Sequence, residues 1–331
     1  MAGGIGMRTL LPEMIHRSRS RFDAVCDRLF GRWRKPLSRM MHWVIPLTLL
    51  VYLGHGLTRI GWLQVWEARP RTLGFYLVLF LPFFVQPSAD LTIYRRLWRV
   101  GSALPLTVLL RKRYLNNIML EYSGEAYFCL WVDRNLKIGR AAMLHAVKDS
   151  NVLSAGAGLA MVWMILLGLT ACGDLKLPAA VSANLWAYGG IASIPLALSL
   201  ALLAGGRRVT SLTRRQIVST FSIHLSRSAL ALSLEFLLWW LSGALPDAAV
   251  CLEFVGLRLL VTRLPLVPRK DLLFVGVGMA AAGLMSLSAP RVAAVLVIMT
   301  GFDQALEFIL VGLPWLFEQT RFKRGIEETP A

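Results

Sequence analysis

Residues 111–158 read RKRYLNNIMLEYSGEAYFCLWVDRNLKIGRAAMLHAVKDSNVLSAGAG, a polar passage inside a chain that is otherwise apolar. Of the 331 residues, 56% are hydrophobic and 17% charged, where a soluble domain carries about 25% charged residues. The mean hydropathy is +0.57. Segments 150–173, 177–206 and 272–290 contain no charged residue, and a helix of ~20 such residues crosses a hydrocarbon core of ~30 Å. The composition therefore predicts an all-α, polytopic integral membrane protein. In hydrocarbon, ionisable groups are costly and face a cavity, a partner or a pathway. Glu125, His145, Lys148 and Asp149 mark the working region on that ground.

Outward from this passage, apolar runs predict six full spans, at about 43–62, from Leu73 to YRRLWR, 139–172, 183–205, 216–241 and 291–317. Pro82 and Pro87 interrupt the second. Two pairs of short pieces, 102–118 with 123–135 and 248–262 with 271–288, are too short to cross and predict broken, re-entrant hairpins. The halves 73–172 and 216–317 then share one order of elements and enter from opposite faces, the arrangement of an inverted repeat linked by 177–206. Residues 43–317 form the transmembrane domain, 1–42 a basic N-terminal segment and 318–331 a tail.

Most of the 36 Lys and Arg fall in segments that share a side with the N-terminus, which places both termini in the cytoplasm. This accounts for the net charge of +17 without nucleic acid as a partner. Nine basic residues lie between Arg8 and Arg39, and Phe22, Val25, Leu29 and Trp33 share one side of a helix there. Two readings stand: an interfacial helix on anionic lipid, or an ordinary positive-inside anchor. No cleavable signal is evident in this stretch. The four cysteines are isolated, with no disulfide or zinc spacing.

The polar residues carry alternative readings. Asn116, Asn117 and Glu121 precede the Ser-Gly break, where Ser123 would cap a helix with Glu125 in its first turn. Glu125 is either that helix's dipole partner or a carboxylate for a cationic headgroup or a proton; Arg113 lies on the approach. His145 and Asp149, four apart, are either a relay or the neighbours of a self-neutralising Lys148–Asp149 pair. In LRLLVTRLPLVPRKDLLF, Arg258, Arg263, Arg269 and Lys270 flank two prolines. They suit a lipid phosphate or snorkel to the interface. Asp303 and Glu307 share a face of the last span, where they either pair with Arg227 of the fifth or simply meet solvent. No GxSxG, HExxH, Walker or GxGxxG pattern is present, so transport rather than catalysis is expected, with no cofactor and no metal.

On EYSGEAYFCLW, HAVKDSN, LPLVPRKDLLF and FDQALEF the chain resembles the flippase-like transmembrane family, also described as the lysylphosphatidylglycerol synthase transmembrane region, over residues 43–317. The resemblance implies a lipid translocase of the bacterial inner membrane acting on a phospholipid, a hopanoid or a polyprenyl-linked lipid. Glu125, Asp149 and Arg269 would be the matching polar positions. The family's Pro-Gly element reads Val267-Pro268-Arg269 here. No aminoacyl-transferase domain is expected, so lysyl-lipid synthesis is not. The rival expectation is a non-transporting membrane partner of an envelope glycolipid or polysaccharide assembly enzyme.

Overall fold

The computed structural model describes residue 51 and residues 54–118, 122–171, 210–262 and 270–314. Among these the protein is helical throughout, with no strand. After a helical stretch at 54–60 come α1 (Trp62–Glu67), α2 (Leu73–Leu79), α3 (Leu81–Trp98), α4 (Leu106–Ile118), α5 (Ser123–Asn135) and α6 (Arg140–Ala171). The second half holds α7 (Arg214–Ser242), α8 (Ala248–Thr262), α9 (Lys270–Leu284) and α10 (Ala289–Glu307), which widens into a π-type turn, Phe308–Gly312.

Among the described residues, three helices are long and apolar enough to cross a membrane: α2 with α3 (26 residues), α7 (29 residues) and α10 with its π-type turn (24 residues). Leu73, Leu77, Phe80 and Phe84 on the first, Leu230 and Trp240 on the second, and Phe308 and Ile309 on the third are exposed. Contiguous apolar exposure of this kind suits a lipid surrounding. The expected N-terminal segment, the span at 183–205, half of the span at 43–62 and the tail lie outside the described residues.

The helix ends follow from local chemistry. Thr213 and Gln216 form a reciprocal cap that opens α7, and Gly243, at φ 61°, closes it in the left-handed region. Asp247 accepts the Val250 amide at 2.9 Å and opens α8. Pro82 sits in the first turn of α3, where its missing N–H costs nothing, whereas Pro87 lies inside the helix. Arg95 donates twice to the Leu104 carbonyl, at 3.1 and 2.8 Å, and holds the turn between α3 and α4.

The breaks fall where the short apolar pieces end. Helices of 13 residues (α4, α5) and 15 residues (α8, α9) reach only about 20 Å at 1.5 Å per residue. Ser123 does not cap α5: Tyr122, with φ 74°, is the residue before its first turn. The Ser123 hydroxyl instead donates to the Leu115 carbonyl at 2.7 Å. That bond pulls the hairpin shut, as does the Gly124 amide donating to Asn116 Oδ1 at 2.7 Å. A Cβ at Gly124 would overlap the Lys112 carbonyl, so only glycine permits this approach.

Two cores result. Phe75, Trp239, Phe254, Phe274, Val295 and Leu296 join α2, α7, α8, α9 and α10. Tyr94, Leu109, Phe128, Val132 and Val147 join α3 to α4, α5 and α6. Outside the candidate spans, Arg140 donates to both Asp133 oxygens at 3.0 Å across the α5–α6 turn. Its guanidinium holds the Asp133 carboxyl below the usual carboxylate range, so the contact supports the fold above that range and fades on acidification.

Gly124→Ala is expected to destabilise the protein by about 1–3 kcal/mol through overpacking against backbone. Gly301→Ala, whose Cβ meets nothing within 4 Å, is expected to be neutral or stabilising. Thermal unfolding of the detergent-purified chain checks both, and equal midpoints for the two variants would refute the close approach.

Candidate functional site

The prolines of α3 create the first element of the site. Pro87 has no N–H, so the carbonyl of Phe83, one turn earlier, loses its helical donor. Arg113 of α4 supplies one: its Nη1 donates to the Phe83 carbonyl, with the Pro82 carbonyl at 3.5 Å. The same guanidinium donates through Nη2 to both oxygens of Asp303, at 2.7 Å each, and through Nε to Glu307 at 3.2 Å. It also lies over the Phe83 ring, 4.8 Å from its centre. Asn117, one turn after Arg113, donates to the same Glu307 oxygen. A fork of five donors is what allows one side chain to bind three groups on two helices. The α10 carboxylates therefore pair with Arg113, and Arg227, the expected partner, lies elsewhere. The reason is spacing: Arg113 and Asn117 are one turn apart on α4, matching Asp303 and Glu307 on α10.

A second cluster lies between α3, α4, α5 and α7. Lys112 donates to Asp90 at 2.9 Å and lies 3.4 Å from Glu125. Its ammonium sits 5.5 Å from the centre of the Tyr94 ring and 5.7 Å from that of Phe128. Glu125 is thus in the first turn of α5, as expected, and is also a counter-ion to a buried lysine. The second oxygen of Asp90 is 4.0 Å from Arg227, which donates to Ser154 at 3.1 Å. His224, fully buried, meets Ser150 at 3.1 Å.

The third cluster is on the second helix pair. Arg258 lies 3.7 Å from Glu235 and 3.3 Å from Asp271, with its guanidinium 5.4 Å from the centre of the Phe274 ring. Lys270 donates to the Thr262 carbonyl at 3.1 Å, which brings the ends of α8 and α9 together.

All three clusters meet at one cavity of about 490 Å³. Arg113, Arg227, Arg258 and Lys270 line it beside Glu235, Asp271 and Asp303. Leu79, Leu232, Leu238 and Met299 supply apolar walls. Residues of both short helix pairs thus share one space. Charges removed from water need partners, and here each wall cation lies near an acid or an acceptor. The arrangement suits a ligand with a charged end and an apolar body.

Of the residues singled out from sequence, Arg113, Asn117, Arg227, Arg258, Lys270 and Asp303 line this cavity. Glu125 connects to it through Lys112 and Asp90. Lys148 and Asp149 lie apart and pair with each other at 3.2 Å. Asp149 is fully buried and accepts the Ser211 amide and hydroxyl at 2.8 Å, tying α6 to the segment before α7. His145 is exposed, and the pairing of Lys148 with Asp149 is the second of the two arrangements that the spacing allowed. Arg263, Arg269 and Glu121 lie outside the described residues. Asp90, Lys112, His224 and Glu235 were not singled out. For Asp90, His224 and Glu235 the signal was present, because each is an ionisable residue inside an apolar run.

Arg113→Gln is expected to cost about 3–5 kcal/mol, because it strands two carboxylates against each other. In a Pro87→Ala background the loss should be smaller, since an alanine at that position restores a backbone donor for the Phe83 carbonyl. Denaturant unfolding in mixed micelles measures both, and equal losses in the two backgrounds would disprove the proline link. No protein-family model, curated protein or solved structure matches this chain, so the geometry of the cavity carries the functional reading.

Proposed function

We propose that the protein is a membrane lipid translocase, in which the cavity receives the headgroup of a phospholipid, hopanoid or polyprenyl-linked lipid while the apolar tail stays in the bilayer. The observation that carries this reading is the cavity itself: about 490 Å³, walled by four cations and three acids, among helices whose outer faces are apolar. Buried charge of that kind is costly even when paired, and within a membrane it marks a ligand site or a pathway.

In the full topology, six spans would enclose two re-entrant hairpins, α4–α5 and α8–α9. The order long, short, short, long occurs twice, in α2–α3 to α6 and in α7 to α10, which supports an inverted repeat. Opposite entry of the two hairpins would let one bound headgroup face either leaflet in turn. Both termini would lie in the cytoplasm and the host membrane would be a bacterial inner membrane. The basic N-terminus would rest on anionic lipid.

Proteoliposomes with fluorescent-headgroup lipids, quenched from outside, test the proposal. The protein is expected to accelerate headgroup exchange over empty vesicles for at least one lipid class. Arg258→Gln should lower that rate at least tenfold, and Arg140→Ala should leave it unchanged. No acceleration for any headgroup sinks the proposal.

A further inference from the structure

The cations that wall the cavity are compensated unequally. Arg113 is engaged by two carboxylates and a carbonyl. Arg258 has Glu235 and Asp271, at 3.7 and 3.3 Å. Lys270 is bonded to the Thr262 carbonyl. Arg227 has one hydroxyl, Ser154, and one carboxylate at 4.0 Å. That carboxylate, Asp90, is already held by Lys112 at 2.9 Å. A five-donor fork with one hydroxyl and a distant, shared counter-ion retains donors for another acceptor. Its side chain is 14% exposed, and Arg227 is a wall residue of the cavity.

The geometry points to Arg227 as the receptor for an oxyanion, a phosphate monoester or diester, with Ser154 beside it and Asp90 as the counter-ion that the anion displaces. Planar guanidinium forks bind phosphate oxygens in pairs, and desolvation strengthens such bonds. Leu79, Leu232 and Met299 on the same walls accept an apolar body attached to the phosphate. Displacement is local: once the anion holds Arg227, Asp90 belongs to Lys112 alone. Lys112 is also the partner of Glu125 in the α5 first turn, so occupancy of the cavity is transmitted to the α4–α5 hairpin. The inference rests on the lipid reading only for the source of the anion, since free phosphate presents the same oxygens.

Calorimetric titration of the full chain in a sugar-based detergent, which carries no phosphate, tests it. The probes are dihexanoyl phosphatidic acid, dihexanoylglycerol and inorganic phosphate. Phosphatidic acid is expected to bind, and Arg227→Gln to weaken it at least tenfold, while dihexanoylglycerol binds weakly and equally to both proteins. Asp90→Asn is expected to tighten phosphatidic acid at least threefold, because it removes the competing charge but keeps an acceptor for Lys112. A merely structural Asp90 would weaken binding instead. Inorganic phosphate binding tenfold more weakly than phosphatidic acid, and lost in Arg227→Gln, assigns the anion to a lipid; equal affinity assigns it to free phosphate. Should Arg227→Gln fail to fold, Arg227→Lys keeps the charge but not the fork, and should still weaken phosphatidic acid severalfold. Unchanged affinity in the Arg227 variants, or weaker binding in Asp90→Asn, overturns the inference. Binding that survives beside absent headgroup exchange would overturn the transport reading and leave this one standing.

Discussion

A charged guanidinium inside an apolar helix bundle must be neutralised where it stands, and Arg113 is the side chain on which that requirement falls. Its partners come from three places in the chain: a carbonyl released by a proline in α3, and two carboxylates one turn apart on α10. Removing any of them leaves a buried charge or a buried acceptor without compensation, which costs more than the contact gains. The short helix α4, too short to cross a membrane, is thereby anchored between two long apolar ones. The π-type turn that follows Glu307 adds a further contact, with Gly312 packed against the Tyr114 side chain.

The same constraint shapes the rest of the interior. Lys112, the neighbour of Arg113, points to the other side of α4 and settles between Asp90 and Glu125. Two adjacent cations on one helix thus join α4 to α10 on one side and to α3 and α5 on the other. Arg258 has a comparable role in the second half, drawing together α7 and α9 through Glu235 and Asp271. Between these three centres lies the cavity.

Much of the fold was legible because its signals are local. Uncharged runs and the proline and Ser-Gly breaks marked the helices, and the short pairs 106–118 with 123–135 and 248–262 with 270–284 fall at the predicted breaks. Arg113, Asn117 and Arg258 were legible as ionisable or polar residues near those breaks, and Asp303 as an ionisable residue inside the last apolar run. Their partners were not. The pairing of Arg113 with Asp303 spans 190 positions of sequence, and no local spacing encodes such a distance. Asp149 shows the limit of local spacing: sequence allowed a relay with His145 or a pair with Lys148, and the structure holds the Lys148 pair while Asp149 also accepts the Ser211 amide.

By itself, then, the sequence determined an all-helical, membrane-suited chain, the positions of its breaks and the ionisable residues too costly to bury without purpose. Only the tertiary structure decided which charge answers which: Arg113 with Asp303 and Glu307, Lys112 with Asp90, and Arg227 left with a distant share of Asp90. The physical reason is range. Helix formation depends on neighbours three and four residues away, whereas the neutralisation of a buried charge depends on whatever the packing of distant helices brings within about 4 Å.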